Sequence, residues 1–204
     1  MVSVYFPNNL IDSELTFGER KQHSHTEWSR TASVNDGICR VQVQKVKVLF
    51  GVMSYKDPNT KEDAPARYST AICMSEKGGD AEELKKIIEK FEDEVQKKYG
   101  QKDLKFLSTI KTNDKGLSHL RIKIPPTIQV YNEDSELTEM GINDLKKRCV
   151  HGIYVDMILQ LNYVWCSGNK YGVSWKLYAI KIPPTIQEEL KKVPPPKIMV
   201  RSFR

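Results

Sequence analysis

The sequence predicts a mainly β protein that contains one amphipathic helix. Three observations support this class. Long segments alternate apolar and polar residues, clusters of Gly, Asn, Asp and Pro separate these segments, and only one segment has helical periodicity. The 204 residues suit one globular domain with extensions. With 39% hydrophobic and 28% charged residues, the chain can form a packed core without disulfides or metal.

The first predicted strand follows a polar, aperiodic segment. Residues 1–33 predict an irregular N-terminal arm, because they show no regular apolar period. In residues 38–52 valines alternate with polar residues, and the alternation slips by one position at Lys45. Such a slip predicts a β-bulge within a half-buried strand. A polar loop is expected from Met53 onward, and residues 68–75 predict a second strand.

The predicted helix covers residues 80–99. Asp80 followed by Glu83 forms a capping-box pattern, and Gly100 is placed for a left-handed C-terminal turn. The opposite face is acidic and is interpreted as solvent-exposed surface. The apolar stripe recurs at intervals of three and four residues and consists of Leu84, Ile87, Ile88, Phe91 and Val95.

The octapeptide IKIPPTIQ occurs twice, at residues 122–129 and 180–187, and marks two predicted strand ends. Before the first copy, two strands surround a polar turn, and His119, Arg121 and Lys123 fall on the face opposite an apolar row. Each Pro-Pro pair removes two backbone donors and therefore ends or redirects its strand. Aligning the two copies places a helix opposite a strand, so a duplicated structural module is not predicted.

A long hairpin is predicted over residues 149–182. Two alternating segments flank a turn that contains Gly and Asn. On the outgoing strand, the alternation places Tyr163 and Trp165 on the same face as the aliphatic residues before them. On the returning strand, Lys176 and Tyr178 fall on the face opposite the aliphatic residues.

Aromatic and basic residues concentrate in this hairpin, a pattern typical of single-stranded nucleic-acid binding. Exposed bases stack on flat side chains, each contributing on the order of 1–3 kcal/mol, and nearby cations neutralise the backbone. Trp165 and Trp175 are equally consistent with core packing, whereas Lys170 and Tyr171 lie at the turn and are expected to be exposed. The predicted nucleic-acid-binding residues are Arg40, Lys45, Lys47, Arg121, Lys123, Tyr163, Trp165, Lys170, Tyr171, Trp175, Lys176 and Tyr178.

The charge distribution supports a polyanionic partner. The net charge is +6, yet residues 80–100 contain seven acidic residues and five lysines. Positive charge is therefore concentrated outside the helix, as binding to phosphates requires.

The sequence contains no recognisable motif for catalysis, metal binding or nucleotide binding. Its four cysteines lack any C-x-x-C pair and predict reduced core thiols. Cys149 and His151, taken with His23 and His25, lack the spacing of a zinc site, so no metal or cofactor is expected. No apolar run reaches the roughly 20 residues that span a bilayer, and no signal peptide is recognised. The expectation is an intracellular protein that is not an enzyme.

The order of elements and the hairpin NYVWCSGNKYGVSWKLYAIKI resemble the OB-fold single-stranded DNA-binding proteins of phages and large cytoplasmic DNA viruses. The resemblance implies an OB-like five-stranded Greek-key barrel with one amphipathic helix and an extra hairpin and arms. The basic C-terminal sequence KIMVRSFR differs from the acidic tail through which many phage and bacterial members recruit replication partners. In this family the barrel face and hairpin loops bind the strand, which implies binding roles for Arg121, Lys123, Trp165, Lys170, Tyr171, Trp175 and Lys176.

The predicted function is sequence-independent binding and protection of single-stranded DNA in replication, recombination or repair. The expected location is the cytoplasm, a viral replication site or the nucleus. An RNA-binding OB-fold protein and a non-enzymatic structural or assembly β protein are the alternatives. Replication proteins and a second copy of the chain are further candidate partners, and membranes are not. The predicted division is an arm at 1–33, a binding domain at 34–187 and a basic, Pro-rich tail at 188–204.

Overall fold

A computed structural model gives the architecture of the protein and describes residues 2–55 and 67–184. Within these residues the protein is mainly β, with 52% of them in strands, two α-helices, a closed five-stranded barrel and further strands outside the barrel. The predicted mainly β class and OB-like barrel are therefore confirmed. The predicted basic tail at 188–204 lies outside the described residues.

The N-terminal residues form strands, so the prediction of an irregular arm is wrong. Strand β1 (Val2–Tyr5) is followed by a short 3-10 helix (Pro7–Leu10). Strands β2 (Leu15–Gln22) and β3 (Glu27–Val34) then pair antiparallel as a hairpin. The pairing register shifts inside β2, and this shift interrupts the alternation by which a strand is recognised in sequence.

Strands β4 (Ile38–Tyr55) and β5 (Arg67–Cys73) pair antiparallel, and β1 lies parallel to the beginning of β4. Lys45 has a φ of +50°, and the pairing of β4 with a later strand shifts register beside it. The predicted β-bulge is confirmed. β4 extends beyond the predicted start of the polar loop at Met53, and it ends at Tyr55.

Helix α1 (Asp80–Tyr99) matches the predicted helix and packs its apolar stripe into the core. Its five stripe residues, from Leu84 to Val95, are at most 1% exposed. Full burial of each such side chain contributes about 1.5–3 kcal/mol relative to exposure, so this stripe fixes the helix on the barrel.

The capping at both ends of α1 differs from the sequence prediction, although the bounds agree. The N-cap residue is Gly79, which makes no side-chain capping hydrogen bond. The Asp80 carboxylate instead accepts a hydrogen bond from the backbone N–H of Gln44 in β4, at 2.8 Å. Gly100 has a φ of −61° and a ψ of 122°, which is extended and not left-handed. The local capping pattern is thus replaced by a tertiary contact.

After α1 come β6 (Lys105–Leu107), β7 (Ile110–Thr112) and β8 (Ser118–Ile124). β7 and β8 form the predicted hairpin. Alternate residues of β8 are buried, which confirms its predicted apolar row and outward polar row. β8 ends immediately before Pro125, as predicted.

The next segment contains β9 (Gln129–Tyr131), β10 (Leu137–Thr138) and α2 (Ile142–Arg148). The terminal hairpin then consists of β11 (Tyr154–Ser167) and β12 (Lys170–Lys181), and it is confirmed. No helix within residues 2–55 and 67–184 combines the length and apolar character needed to cross a membrane.

Five strands close the barrel in the order β4, β5, β8, β12, β11 and back to β4. The β8–β12 contact is parallel and joins Lys123 to Lys176, whereas the other four pairings are antiparallel. The spatial order β11, β4, β5, β8 is that of a Greek key. The inward residues of these strands form the core. The outward residues of β8, β11 and β12 are therefore available to contact a ligand.

The first octapeptide copy lies beside β12, the strand that runs into the second copy. Lys123 in the first copy pairs with Lys176, and Gln129 at its end pairs with Ala179. The first copy therefore advances six residues, from Lys123 to Gln129, while β12 advances only three, from Lys176 to Ala179. The Pro-Pro corner accommodates the three additional residues. β12 ends at Lys181, and one residue, Ile182, separates it from the second Pro-Pro pair. Both corners are thus strand exits, as predicted.

Candidate nucleic-acid interface

A single bulge in β11 determines which aromatic side chains face outward. The β11–β12 register shifts between Leu161 and Tyr163, so Asn162 is an extra residue on β11. Because side chains alternate with a period of two, one extra residue turns the following side chains to the other face. Tyr163 and Trp165 are therefore half-buried on the outer face, and the prediction that they share the aliphatic face is wrong. We call these two residues the aromatic ladder.

Strand β8 carries a second set of outward side chains. His119, Arg121 and Lys123 occupy alternate positions, and the residues between them are buried. Lys111 of β7 pairs with His119 and adds another basic group on the same face. We call these four residues the basic ladder.

A groove of about 380 Å³ lies between the basic ladder and Trp165 of the aromatic ladder. The intervening strand β12 lines the groove with Val173, Ser174 and Trp175. Its small residues Gly172 and Ser174 pair with Trp165 and Tyr163 respectively. A Cβ added to Gly172 would lie 3.3 Å from the Trp165 ring and 2.6 Å from the Leu107 carbonyl oxygen. Glycine at this position therefore allows the indole ring to lie close against the backbone. No Asp or Glu lines the groove in the described part of the chain.

Lys123 joins the two ladders. Its Nζ donates a hydrogen bond to the Tyr163 hydroxyl at 3.0 Å and lies 5.2 Å from the centre of that ring. Burial acts to raise the pKa of Tyr163, but the hydrogen bond and positive charge of Lys123, together with the Ser174 hydroxyl and the positive charge of Arg67, outweigh burial, and the pKa is lowered. The tyrosine hydroxyl thus orients the ammonium group at the groove without neutralising it.

Arg121 is held by neutral partners. Its Nε donates to Ser69 Oγ at 3.2 Å, and its guanidinium carbon lies 5.0 Å from the centre of the Tyr55 ring. None of the ion pairs in residues 2–55 and 67–184 involves Arg121 or Lys123. Both cations can therefore interact with an anionic ligand without first breaking an ion pair.

A basic row adjoins the groove at Lys123. Arg40, Gln160, Lys176 and Lys123 are successive pairing partners across β4, β11, β12 and β8. The Arg40 guanidinium lies 3.3 Å from the centre of the Tyr178 ring, and its Nε donates to Gln160 Oε1 at 3.2 Å. Four predicted site residues are thus brought together along one edge of the groove.

Two predicted lysines lie elsewhere. The backbone N–H of Lys45 donates to Asp156 Oδ1 at 2.9 Å, and Lys47 lies 5.9 Å from the centre of the Tyr154 ring. Lys47 pairs with Tyr154, and Lys45 contacts Asp156, so both lie near the start of β11, whereas the aromatic ladder lies near its end. The structure therefore does not place Lys45 and Lys47 at the groove.

Tyr171 and Trp175 are core residues. They are 3% and 2% exposed, so neither ring presents a face for stacking, and the predicted exposure of Tyr171 is wrong. The β11–β12 turn is covered by β6, whose Phe106 packs against Tyr171 with ring centres 5.2 Å apart. Lys170 is exposed at the turn, as predicted, and its contact with nucleic acid stays a prediction.

Several groove residues were not predicted from sequence. The predicted polar loop includes Tyr55, whereas β4 extends to this residue, beyond its clearest alternation. Phe50 is 46% exposed, and its ring packs perpendicular to His119 with centres 5.6 Å apart. The alternation of β8 already placed His119 on the outward face, and that signal could have added it to the site. Lys111 could be placed only from the register of β7 with β8.

The cysteines and histidines form no metal centre in the part of the chain that the structure describes. All four cysteines are buried and unpaired, and burial raises the pKa of Cys39 to about 12 and of Cys149 to about 11. The His151 ring is hydrogen-bonded through Nδ1 to the Leu49 carbonyl oxygen at 2.5 Å. The four thiols and the His151 ring are therefore interpreted as parts of the packed structure.

Comparison with known structures places the fold among phage proteins. A single-stranded DNA-binding protein from bacteriophage Enc34, solved in complex with ssDNA, aligns with a TM-score of 0.54 and 15% identity over 80% of this chain and 93% of that chain. A C-terminal truncation of the Enc34 protein aligns with a TM-score of 0.55 and 14% identity, over 83% of this chain and 95% of that chain. No family model and no curated protein matches the chain. The resemblance predicted from sequence is confirmed at the level of the fold.

Proposed function

We propose that the protein binds single-stranded DNA, without sequence specificity, in the groove between the aromatic and basic ladders. The observation that supports this most directly is the juxtaposition of Tyr163 and Trp165 with the cations of β8 across strand β12. Bases stack on the aromatic ladder, and phosphates lie against Arg121 and Lys123. Each stacked base contributes about 1–3 kcal/mol.

The groove favours single strands over duplexes. Stacking on Tyr163 and Trp165 requires bases with an exposed face, and a duplex hides both faces of each internal base. Every base has an aromatic face, so this form of recognition is tolerant of sequence. The Enc34 protein of the same fold is described as a single-stranded DNA-binding protein, which supports the same ligand here.

The biological role that follows is protection of exposed single strands during replication, recombination or repair. The proposal is a binding role inside a cell or infected cell, without catalysis. RNA is the alternative ligand, because stacking and phosphate neutralisation do not depend on the sugar.

Fluorescence anisotropy with labelled oligo-dT and with matched duplex tests the proposal at two salt concentrations. We expect oligo-dT to bind more tightly, with an affinity that falls steeply as salt rises because counterions are released. Equal affinity for the two ligands, or no binding, would contradict the proposal. Competition with an oligo-U of equal length measures the preference between DNA and RNA. Quenching of tryptophan fluorescence that is lost in Trp165→Phe would locate the contact.

Binding is expected to strengthen at mildly acidic pH through His119. Desolvation, and next the positive charge of Lys111, lower the pKa of His119, so the free protein carries a neutral imidazole near pH 7. As the pH falls below the ordinary histidine pKa of 6.5, protonation of His119 adds a cation to the groove, and bound phosphate favours this protonation. We expect the affinity to rise by up to about fivefold at 0.1 M salt, which is the contribution of one phosphate contact to affinity at that salt concentration. Anisotropy titrations at several pH values measure the gain.

The control for this pH dependence is His119→Gln, which cannot gain a proton. We expect the variant to keep the affinity of the wild type near pH 7 and to show a flatter pH profile. A profile that is unchanged in the variant would assign the effect to another group.

A further inference from the structure

The β2–β3 hairpin continues the outer face of the barrel beyond the aromatic ladder. Ser29 pairs with Trp165 on one side and with Lys21 on the other, and Thr31 pairs with Tyr163. Residues directly opposite each other in antiparallel strands project from the same face. Lys21, Ser29 and Thr31 therefore lie on the same face as the aromatic ladder.

Hydroxyl and basic groups dominate this face of the hairpin. Lys21 and His23 are exposed, and His23 Nε2 is 2.8 Å from Ser29 Oγ. Lysine ammonium and Ser or Thr hydroxyl groups are the usual side-chain donors to phosphate oxygens. Glu27 lies at the tip of the hairpin, where it accepts a hydrogen bond from Ser167 at 2.9 Å. We call Lys21, His23, Ser29 and Thr31 the hairpin strip.

The opposite face of the hairpin is occupied by packing. Trp28 lies 5.4 Å, between ring centres, from Tyr99 at the end of α1, and the Arg20 guanidinium lies 5.1 Å from the Trp28 ring centre. Arg30 lies 5.9 Å from the Tyr99 ring centre. These contacts hold the hairpin against the helix, so the hairpin strip is fixed in position before any ligand arrives.

We propose that the hairpin strip binds the phosphates of the strand where it leaves the groove past Trp165. The inference rests on the proposed function and extends its binding site from the barrel to the hairpin. Neighbouring strands lie about 4.8 Å apart, so the Cα of Lys21, two strands from Trp165, is roughly 10 Å away from it. A lysine side chain can cover that separation toward the next phosphates along the strand.

Adjacent residues on β2 provide a matched test. Arg20 pairs with Arg30 and Lys21 with Ser29, so Arg20 and Lys21 project from opposite faces. Lys21→Gln and Arg20→Gln remove the same charge from the same hairpin. Anisotropy is measured at 0.1 M salt with oligo-dT of about 4 and about 16 nucleotides, the limits of the usual site size for one OB fold. Thermal midpoints verify that both variants are folded.

We expect Lys21→Gln to bind the long oligomer about fivefold more weakly. The slope of log affinity against log salt concentration should become shallower by about 0.7, the contribution of one phosphate contact on a single strand. Binding of the short oligomer should not change, because it can be held in the groove alone. Arg20→Gln should bind both lengths as the wild type does.

Two results would overturn the inference. Equal losses in the two variants would show a response to overall charge, and an unchanged affinity of Lys21→Gln for the long oligomer would show that the strip is not contacted. Failure of the wild type to bind either oligomer would instead contradict the proposed function, so the two failures are distinguishable.

Discussion

Replacing Trp175 with alanine is expected to lower the free energy of unfolding by about 3–5 kcal/mol, the usual cost of truncating a buried aromatic residue. Trp175 is 2% exposed and is among the largest fully buried side chains in the described residues. Its indole N–H has no hydrogen-bond partner there, so the loss comes from packing and from the cavity that remains. Urea unfolding followed by circular dichroism measures the change, with an unchanged slope expected.

The two hairpin tryptophans provide a contrast. Trp165→Ala is expected to weaken oligo-dT binding by about 1–3 kcal/mol, because it removes one stacking platform. Its effect on unfolding should be the smaller of the two, since Trp165 is only half-buried. If Trp175→Ala left unfolding unchanged, the assignment of Trp175 to the core would be wrong.

Removing three cations from the groove and its basic row is expected to reduce oligo-dT affinity by about 100-fold at 0.1 M salt. The variant combines Arg121→Gln, Lys123→Gln and Lys176→Gln. Each lost phosphate contact lowers the steepness of the salt dependence by about 0.7 for a single strand, which gives about 2 for the three together. Anisotropy over a range of salt concentrations measures both quantities.

A second triple variant controls for net charge. Lys45→Gln, Lys47→Gln and Lys86→Gln remove the same charge from positions away from the groove, with Lys86 on the surface of α1 and ion-paired to Glu83. We expect this variant to keep most of the affinity of the wild type. Equal losses in the two triple variants would indicate diffuse electrostatic attraction in place of a defined groove.

The elements predicted most accurately are those in which the pattern of apolar residues along the sequence matches the face that is buried in the core. Helix α1 has both predicted bounds, because its apolar stripe faces a core over its full length. The outward row of β8 was predicted by simple alternation, and it supplies Arg121 and Lys123 to the groove. These two cations and the aromatic ladder, with Arg40, Lys176 and Tyr178 of the basic row, are the predicted site residues that the structure brings together.

The predictions that failed depend on contacts distant in sequence. Tyr171 is buried because β6, from another part of the chain, covers the hairpin turn. Asp80 does not cap its helix because it is bound to the backbone of Gln44 in β4. The β2–β3 hairpin was missed because a register shift breaks its alternation. None of these arrangements has a local signature that periodicity can detect.

Because Asn162 is an extra residue in β11, the deletion of this single codon is expected to abolish the proposed stacking surface. Deleting it would return Tyr163 and Trp165 to the inward face, because the strand has a side-chain period of two. The core would then have to accept two large rings, while the groove would lose its stacking surface without the loss of any aromatic residue. Two chains of almost identical composition could therefore differ in ligand binding through one insertion. In comparing related sequences, an alignment gap at this position would be more informative than any substitution beside it.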